Sequence, residues 1–284
     1  MSCKNTVFGV FVAANNFVNC IMEKFISFSG GVESTTMCIL YGKGATAIWV
    51  DTGWEHDAMY ERLEFCESML KELHGGDFEL IRLKPNVTAH EKKVEKLQDY
   101  IKEMQYMPNN GSRYCTNRFK IQPIETFLKD KGECQLMIGF NADEEPGADR
   151  VGNLAKLKNV KYTYPLFEQE YTREMCEDIL HQYGLHPQFP VYMKRGGCKG
   201  CFFKSVSEYK AMYFFSRDEF MELLKLEESI QDARKKFFTI AAFQKPLRWV
   251  MNACEIELLQ WGEEVYRMYE TVKTGKACGA FCQR

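Results

Sequence analysis

A glycine-rich segment near the N-terminus has the composition of an anion-binding loop. Residues 29–35 read Ser-Gly-Gly-Val-Glu-Ser-Thr and lie between a predicted strand and a predicted helix. Glycine lets backbone N–H groups approach phosphate oxygens, while the helix N-terminus and the hydroxyl groups add positive potential and donors. A tight turn that needs glycine only for its backbone is the alternative, and the flanking strand and helix argue against it. We therefore predict phosphate contacts at five residues: Ser29, Gly30, Gly31, Ser34 and Thr35.

A second group of reactive residues is the Cys-x-x-Cys pair formed by Cys198 and Cys201. Glycines around the pair allow the backbone to bend so that both sulfurs face one metal. A redox dithiol of the thioredoxin type should open a helix after a strand, whereas this pair follows Pro187 and Pro190 in a glycine-rich stretch. Two unligated thiols are the other alternative. We predict that the pair binds a metal.

The elements that must position these residues alternate between strand and helix over residues 24–184. Strands are predicted at residues 24–28, 46–50, 78–83, 135–140 and 161–166. Helices are predicted at residues 33–41, 55–73 and 91–104, from Pro123 onward, and after a cap at Thr172. This alternation is typical of an α/β fold with an open, mainly parallel sheet covered by helices on both faces.

After Pro190 the pattern changes and helices dominate, one of them opened by a predicted capping box of Ser216 and Glu219. We therefore predict an α/β domain at residues 22–190 that contains the anion-binding loop. A mostly helical region that contains the Cys-x-x-Cys pair follows at residues 191–284.

Composition narrows the class of protein. The chain has 284 residues and a formal net charge of −2, so no overall basic field indicates nucleic-acid binding. No apolar run approaches the ~18 residues that a membrane span needs. Twelve cysteines could form disulfides in a secreted protein. However, residues 1–21 lack the small-residue cleavage site of a signal peptide, and Met22 resembles a natural start. We predict a cytoplasmic protein without membrane contact, with residues 1–21 as a dispensable extension.

Several motifs in this order resemble one known family. Residues 29–35 are similar to the PP-loop of the ATP-pyrophosphatase superfamily, S-G-G-x-D-S-[ST], with Glu33 in place of the usual Asp. Asp-Thr-Gly at residues 51–53, with Glu-His at residues 55–56, resembles the strand-2 motif of the phosphoadenosine phosphosulfate (PAPS) reductase branch.

Later segments resemble the same branch. Residues 139–145, which read Gly-Phe-Asn-Ala-Asp-Glu-Glu and are followed by Arg150, are similar to its G-x-x-A-D-E segment. Tyr-Pro-Leu at residues 164–166, with Thr-Arg at residues 172–173, is also similar. The resemblance covers roughly residues 24–250.

The resemblance implies an adenine nucleotide, normally ATP, at the carboxyl ends of the strands. Acidic side chains beside a triphosphate would repel it, so Mg²⁺ is implied as well. Asp51 and Glu33 would be the catalytic residues. Helix capping by Asp51 and a solvated acidic loop at residues 143–145 are the alternatives. Beyond the first loop, the implied nucleotide-binding residues are Thr52, Gly53, Gly139, Asp143, Glu144 and Arg150.

The resemblance also supplies a third metal ligand. Residues 113–123 are similar to the family's R-x-C-T-x-x-x-K-x-x-P segment, which contains Cys115. In the family's adenosine phosphosulfate reductases a Cys-Cys pair here joins a distant Cys-x-x-Cys to hold a [4Fe–4S] cluster, but this chain has Tyr114 before Cys115. Three cysteines would leave one iron open, as in cluster-dependent RNA thiolation enzymes. A fourth ligand would instead complete a Zn²⁺ site, and its candidates are Cys176, His181, His186 and a tail cysteine. We favour the cluster.

Two features bear on partners. Sulfonucleotide reductases carry a nucleophilic cysteine in a C-terminal E-C-G-[IL]-H segment, which Cys278 matches only in its Cys-Gly pair. A tail without function and a metal ligand are the favoured alternatives.

Residues 194–248 combine basic and aromatic side chains. This combination can indicate nucleic-acid contact, but it more often reflects aromatic side chains packed beneath a basic surface. The sequence leaves the oligomeric state open.

The resemblance predicts ATP-dependent adenylation followed by sulfur transfer to a nucleobase-type acceptor, with release of pyrophosphate. A true PAPS reductase, which uses Cys278 and thioredoxin, is one alternative. A nucleotide-binding subunit without turnover, in a modification or defence complex, is the other.

Overall fold

The computed structural model of the protein describes residues 22–109, 111–144 and 157–270. In chain order, the first elements are β1 (Glu23–Ser27), α1 (Val32–Tyr41), β2 (Thr46–Val50), α2 (Asp57–Leu73) and β3 (Glu79–Leu83). Next come β4 (Val87–Ala89), β5 (Lys92–Val94), α3 (Leu97–Met104), α4 (Tyr114–Thr116), a π-helical turn (Asn117–Ile121), α5 (Gln122–Lys129), β6 (Cys134–Met137) and β7 (Val160–Thr163). The remaining elements are α6 (Pro165–Glu168), α7 (Arg173–Gln182), α8 (Val206–Phe215), α9 (Arg217–Arg234), α10 (Leu247–Trp261) and α11 (Glu264–Glu270).

Five strands form one parallel sheet in the order β3-β2-β1-β6-β7. Phe25 of β1 lies opposite Thr46 of β2 on one side and Leu136 of β6 on the other. The chain therefore builds the sheet outward from β1 in one direction and then returns to its other side. This reversal between β1 and β6 opens a crevice at their carboxyl ends, where ligands of open α/β sheets bind.

Both faces of the sheet are buried, which explains why its strands read as apolar runs. Ile26 and Ala47 belong to the cluster beneath α1, α2 and α7. Phe25 and Ile48 belong to the cluster beneath α5. The predicted α/β class and its mainly parallel sheet are confirmed.

A third apolar cluster joins the C-terminal helices to the loop that follows β2. Tyr209 of α8, Phe220 of α9 and Val250 of α10 pack with Leu97 of α3 and with Trp54. The C-terminal helices thus share a core with segments near the carboxyl end of the sheet. Among the described residues no strand follows β7, and no helix is both long and apolar enough to cross a membrane.

The predicted helix at residues 91–104 is wrong in its first half. Val87 and Ala89 are buried while Thr88 is exposed, so side chains alternate between the two sides of a strand. Ala89 pairs with Lys92, and His90 enters the left-handed region with a φ of +51° to form the turn between β4 and β5. Only α3 is helical.

The predicted strand at residues 161–166 is also too long, since Pro165 opens α6. The cap at Thr172 is confirmed, because its hydroxyl accepts the Met175 N–H at 3.2 Å.

The C-terminal region does contain a capping box, but it opens α8 and not α9, where Ser216 and Glu219 predicted it. Ser205 Oγ accepts the Glu208 N–H at 3.3 Å, and Glu208 Oε2 accepts the Ser205 N–H at 2.8 Å, so this pair opens α8. Ser216 does precede α9, but its hydroxyl donates to Glu219 Oε2 at 3.1 Å instead of accepting a backbone N–H. Glu219 is held by tertiary partners, as described below, and is not directed back to the helix end.

Candidate functional site

Residues 29–35, here called the phosphate loop, connect β1 to α1 and are held by their own hydroxyl groups. Ser34 Oγ accepts the Ser29 N–H at 3.1 Å and lies 3.0 Å from Ser29 Oγ. Thr35 donates its hydroxyl to the Gly31 carbonyl at 2.7 Å. Gly31 is the N-cap of α1 and brings no capping side chain. No side chain therefore caps the first N–H groups of α1, which are the groups that anion-binding helices use.

Met59 and Arg62 of α2 support the phosphate loop from one side. Gly30 has a φ of +72°, which favours glycine. A Cβ there would lie 3.3 Å from Met59 Cε and 3.7 Å from Arg62 Cγ, so a side chain at Gly30 would point at α2. A Cβ at Gly31 would meet only Ser29 Oγ, at 3.4 Å, so the space beside Gly31 is open.

Glu33 is a bridging residue within the site. It is 8% exposed, and its Oε1 accepts the Asn141 side-chain amide at 2.9 Å and Arg173 Nη1 at 2.6 Å. Arg173 also donates to Glu177 Oε1 at 2.7 Å. Glu33 thereby connects α1 to the segment after β6 and to the start of α7. The longer side chain in place of the usual Asp spans this gap, which supports a positioning role for Glu33.

The segment after β6 packs directly on the phosphate loop. A Cβ at Gly139 would lie 3.1 Å from the backbone carbon of Glu33 and 3.2 Å from the Ser34 nitrogen. Asn141 Oδ1 accepts the Asp143 N–H at 2.9 Å, and Asp143 Oδ2 accepts the Arg173 N–H at 2.8 Å. Asp143 therefore faces the first N–H of α7, where a negative charge is stabilised.

Asp51, Thr52 and Gly53 form the loop at the carboxyl end of β2. Asp51 Oδ1 accepts the Gly53 N–H at 2.8 Å and the Tyr60 hydroxyl at 2.9 Å. Gly53 has a φ of +67°, and a Cβ there would lie 2.6 Å from Lys96 Cγ. Asp51 thus shapes its own loop and is fixed by α2, and its Oδ2 takes no part in either bond.

The Cys-x-x-Cys pair packs against this same loop. Residues 196–201, here called the cysteine segment, place Cys198 Sγ 3.8 Å from Thr52 Oγ1. The Cys198 thiol donates to Glu55 Oε1 at 3.6 Å, and Thr52 Oγ1 donates to the same oxygen at 2.8 Å. Glu55, which is 4% exposed, was not assigned a role from sequence because nothing local pairs it with a cysteine 143 residues away.

Met59 also lies against the cysteine segment. A Cβ at Gly196 would lie 2.9 Å from Met59 Sδ, and a Cβ at Gly30 would lie 3.3 Å from Met59 Cε. One side chain of α2 therefore separates the phosphate loop from the cysteine segment.

A hydrogen bond from His56 and an ion pair with Lys199 fix the far side of the cysteine segment. His56 Nδ1 donates to Glu219 Oε2 at 2.8 Å, and Lys199 Nζ lies 3.1 Å from Glu219 Oε1. Burial lowers the pKa of His56 despite the nearby carboxylate, so its imidazole is neutral. Burial opposes ionisation of Glu219, but His56 and Lys199 outweigh it and lower the pKa of Glu219 to about 2. The strand-2 loop, the cysteine segment and α9 are thus joined through one carboxylate.

The three predicted metal ligands are electrostatically coupled. Burial raises the pKa of the Cys198 thiol well above its usual range; Glu55, Cys201 and Cys115 raise it further, while Lys120 lowers it. A thiolate here, beside the Glu55 carboxylate, needs a compensating positive charge, which a metal centre supplies. In this respect the donor set fits a metal.

The described residues do not form a complete site for a single metal ion. Across the described residues, no three His, Cys, Asp or Glu side chains converge closely enough to hold one metal ion. None of the eight described cysteines forms a disulfide.

The proposed fourth ligands lie elsewhere. Cys176 is buried in the core beneath α1 and α7. The rings of His181 and His186 stack on each other with centroids 4.0 Å apart.

Among the remaining predicted site residues, Glu144 donates its N–H to the Asn141 carbonyl at 3.1 Å. Arg150 and Cys278 lie outside the described residues, and so does residue 145.

Much of the basic and aromatic composition of residues 194–248 is used internally. Tyr209 and Tyr213 are buried in the third cluster, and Arg217 lies 4.2 Å from the centre of the Tyr213 ring. Lys204 is 6% exposed, and Arg248 pairs with Glu228. These contacts agree with the interpretation that the aromatic side chains pack beneath a basic surface.

Comparisons with known proteins agree with this geometry. No curated protein sequence matches the chain. The family model of the phosphoadenosine phosphosulfate reductase domain matches residues 23–173, slightly more than half of the chain. That interval begins at β1 and ends at Arg173, so it contains the phosphate loop, the strand-2 loop and the segment after β6. The chain belongs to the phosphoadenosine phosphosulfate reductase domain family.

Proposed function

We propose that this protein binds ATP with Mg²⁺ at the phosphate loop and uses it to adenylate an acceptor that then receives sulfur. The observation that carries the proposal is the position of Cys198, whose Sγ lies 3.8 Å from Thr52 Oγ1 on the loop at the carboxyl end of β2. Thiol chemistry and the predicted nucleotide site thus share one crevice. Membership of a family of adenine-nucleotide sulfur chemistry supports the same combination.

The phosphate loop and the first turn of α1 would bind the phosphates. Thr52, Gly53 and Gly139 would form the remaining walls, with Arg150 and Glu144 as further proposed contacts. Glu33 is already paired with Arg173, and Asp143 with the N-terminus of α7, so the protein offsets part of the acidic charge near the nucleotide. Asp51 is the acidic side chain at this edge that we assign to the Mg²⁺-bound nucleotide, because its bonds occupy only Oδ1.

The reaction would proceed in two displacements. A carbonyl oxygen of the acceptor attacks the α-phosphorus of ATP, and pyrophosphate leaves with the electrons of the broken P–O bond. Hydrosulfide from a sulfur donor then adds to the activated carbon, and AMP leaves with the original oxygen as the C=S bond forms. The residues of this chain would position the reactants and offset charge, the main sources of catalysis in phosphoryl transfer.

We assign Cys115, Cys198 and Cys201 to a metal centre. A tetrahedral zinc ion binds each sulfur at about 2.3 Å and so needs closely converging ligands. A [4Fe–4S] cluster bonds each thiolate to a different iron and accepts wider spacing. We favour the cluster over Zn²⁺ because the resemblance to the family's cluster-binding reductases implies it. With three cysteines, the cluster would leave one iron able to bind sulfide.

Pyrophosphate release from [γ-³²P]ATP, measured with anaerobically purified full-length protein and sulfide, tests the proposal. Wild-type protein should bind ATP in calorimetry, and release of pyrophosphate should require a nucleobase-type acceptor. Gly30→Val should lose binding because its side chain would displace the loop from α2. Gly44→Val is the matched control, since Gly44 has nearly the same φ of +70° and open space around it.

Two outcomes would replace the proposal. ATP binding without pyrophosphate release, with any acceptor class, would favour a binding subunit. Thioredoxin-dependent sulfite release from an adenosine phosphosulfate would instead establish reduction.

A further inference from the structure

We propose that Arg62 is the positioning residue of the phosphate loop: it fixes the peptide between Gly30 and Gly31 so that the Gly31 N–H faces the bound phosphates. This inference rests on the proposed nucleotide site and adds a residue that the motifs do not include.

Arg62 is a buried cation whose described partners are backbone carbonyls. Its side chain belongs to α2 and the residue is 6% exposed. Nε donates to the Gly30 carbonyl at 3.3 Å, and Nη2 donates to the Leu185 carbonyl at 2.5 Å. It forms no ion pair with any residue in the described parts of the chain, and burial raises the pKa of its neighbour Cys66, which is therefore a neutral thiol. A buried charge without a counter-charge is costly, and the two carbonyl bonds of Arg62 offset part of that cost.

The contact with Gly30 determines where the next N–H points. In a trans peptide the carbonyl of one residue and the N–H of the next lie on opposite sides of the chain. Arg62 draws the Gly30 carbonyl toward α2, so the Gly31 N–H is directed away from α2. Its contact there, Ser29 Oγ at 3.4 Å, is long for a hydrogen bond. A phosphate oxygen in the open space beside Gly31 would accept this N–H more favourably.

The second contact gives the guanidinium its orientation. Leu185 follows α7 and is 1% exposed in the cluster beneath α1. Its carbonyl holds Nη2 while Nε remains directed at Gly30. Two fixed acceptors on two segments define the plane of the guanidinium, which lysine cannot reproduce with a single ammonium group.

The test separates a positioning role from a purely structural one by comparing ligands that differ only in phosphate. Arg62→Met, Arg62→Lys and Arg62→Gln are purified with wild type, and affinity for ATP and for adenosine is measured by calorimetry. Arg82→Met is the control, because Arg82 lies on β3 and pairs with Glu67 at the surface.

We expect Arg62→Met to weaken ATP binding at least tenfold while adenosine affinity changes less than twofold. Arg62→Lys keeps the charge and Arg62→Gln keeps one donor, so each should show a smaller loss than Arg62→Met. Arg82→Met should bind both ligands as wild type does.

Each other result has a defined meaning. Equal losses for ATP and adenosine, or failure of all three Arg62 variants to fold, would show that Arg62 is structural and overturn the inference. Unchanged ATP affinity in folded Arg62→Met would overturn it while leaving the proposed function intact. Wild-type protein that binds neither ATP nor inorganic pyrophosphate would overturn both.

Discussion

A buried carboxylate in the C-terminal helices makes the stability of this protein depend on pH. Glu227 of α9 is fully buried. Its Oε2 accepts the Ile240 N–H at 2.8 Å, and its Oε1 accepts the Leu247 N–H at 2.6 Å. Burial raises the pKa of Glu227 from 4.5 to about 7, although the two N–H donors act in the opposite direction.

The direction of the effect follows from proton linkage. Between the pKa of the unfolded chain, about 4.5, and that of the folded protein, about 7, the folded state holds a proton that the unfolded state has released. The free energy of unfolding therefore falls as pH rises through this window, by about 1.4 kcal/mol per pH unit. The contribution of Glu227 across the window is about 3 kcal/mol.

Glu227→Gln removes this titration, because glutamine keeps one acceptor and resembles the protonated carboxyl group. We expect urea unfolding at pH 5, 6, 7 and 8 to show a steeper decline in wild type than in the variant between pH 5 and 7. Glu222→Gln is the control, since Glu222 is exposed on the same helix. Parallel pH profiles for wild type and Glu227→Gln would refute the assignment of a raised pKa to this residue.

The segment that Glu227 holds also contacts the residue next to the cysteine segment. The segment that Glu227 binds at both ends contains Ala242, whose N–H donates to the Phe202 carbonyl at 2.9 Å. Phe202 follows Cys201 directly, and Tyr209 donates its hydroxyl to the Cys201 carbonyl at 3.0 Å. Removal of the Glu227 contacts by substitution would therefore loosen the support of the cysteine segment.

Three further predictions concern the site itself. Gly139→Ala should weaken ATP binding and cost about 1–3 kcal/mol of stability, because its Cβ would lie 3.1 Å from the backbone of α1; calorimetry and urea unfolding check this against Gly132→Ala, whose Cβ would meet open space. The double variant Cys198→Ser, Cys201→Ser should lose bound metal, and full iron and zinc content by elemental analysis would contradict the assignment. Cys278→Ser should bind ATP as wild type does, with no sulfite released from an adenosine phosphosulfate by either protein in the presence of thioredoxin, whereas sulfite release that requires Cys278 would establish a reductase.

The sheet and its loops were predictable because their determinants are local. Buried parallel strands appear as short apolar runs, and the polar or glycine-rich residues that follow mark their carboxyl ends. The phosphate loop was located in this way, whereas Asp51 and Gly139 came from the family resemblance and their roles stay predictions. The hairpin of β4 and β5 was not, because Val94 and Leu97 continue the spacing of a helix and only tertiary burial distinguishes the strand.

The supporting residues of the site could not be predicted because their partners are distant in sequence. Arg62 reaches Leu185 across 123 positions, and Glu55 reaches Cys198 across 143. Glu219 was assigned to a capping box from its spacing, but His56 and Lys199 hold it in the tertiary structure. Local pattern and family resemblance thus pointed to residues at the carboxyl edge of the sheet and missed the residues that hold them.

The position of Met59 between Gly30 and Gly196 has a consequence for how this sequence can diverge. A substitution that adds a Cβ at either glycine requires a smaller or displaced side chain at position 59, because the nearest Met59 atoms would lie 3.3 and 2.9 Å away. We therefore expect the identities at these three positions to covary among relatives that retain the cysteine segment. In relatives that have lost that segment, position 59 should vary under the constraint of Gly30 alone.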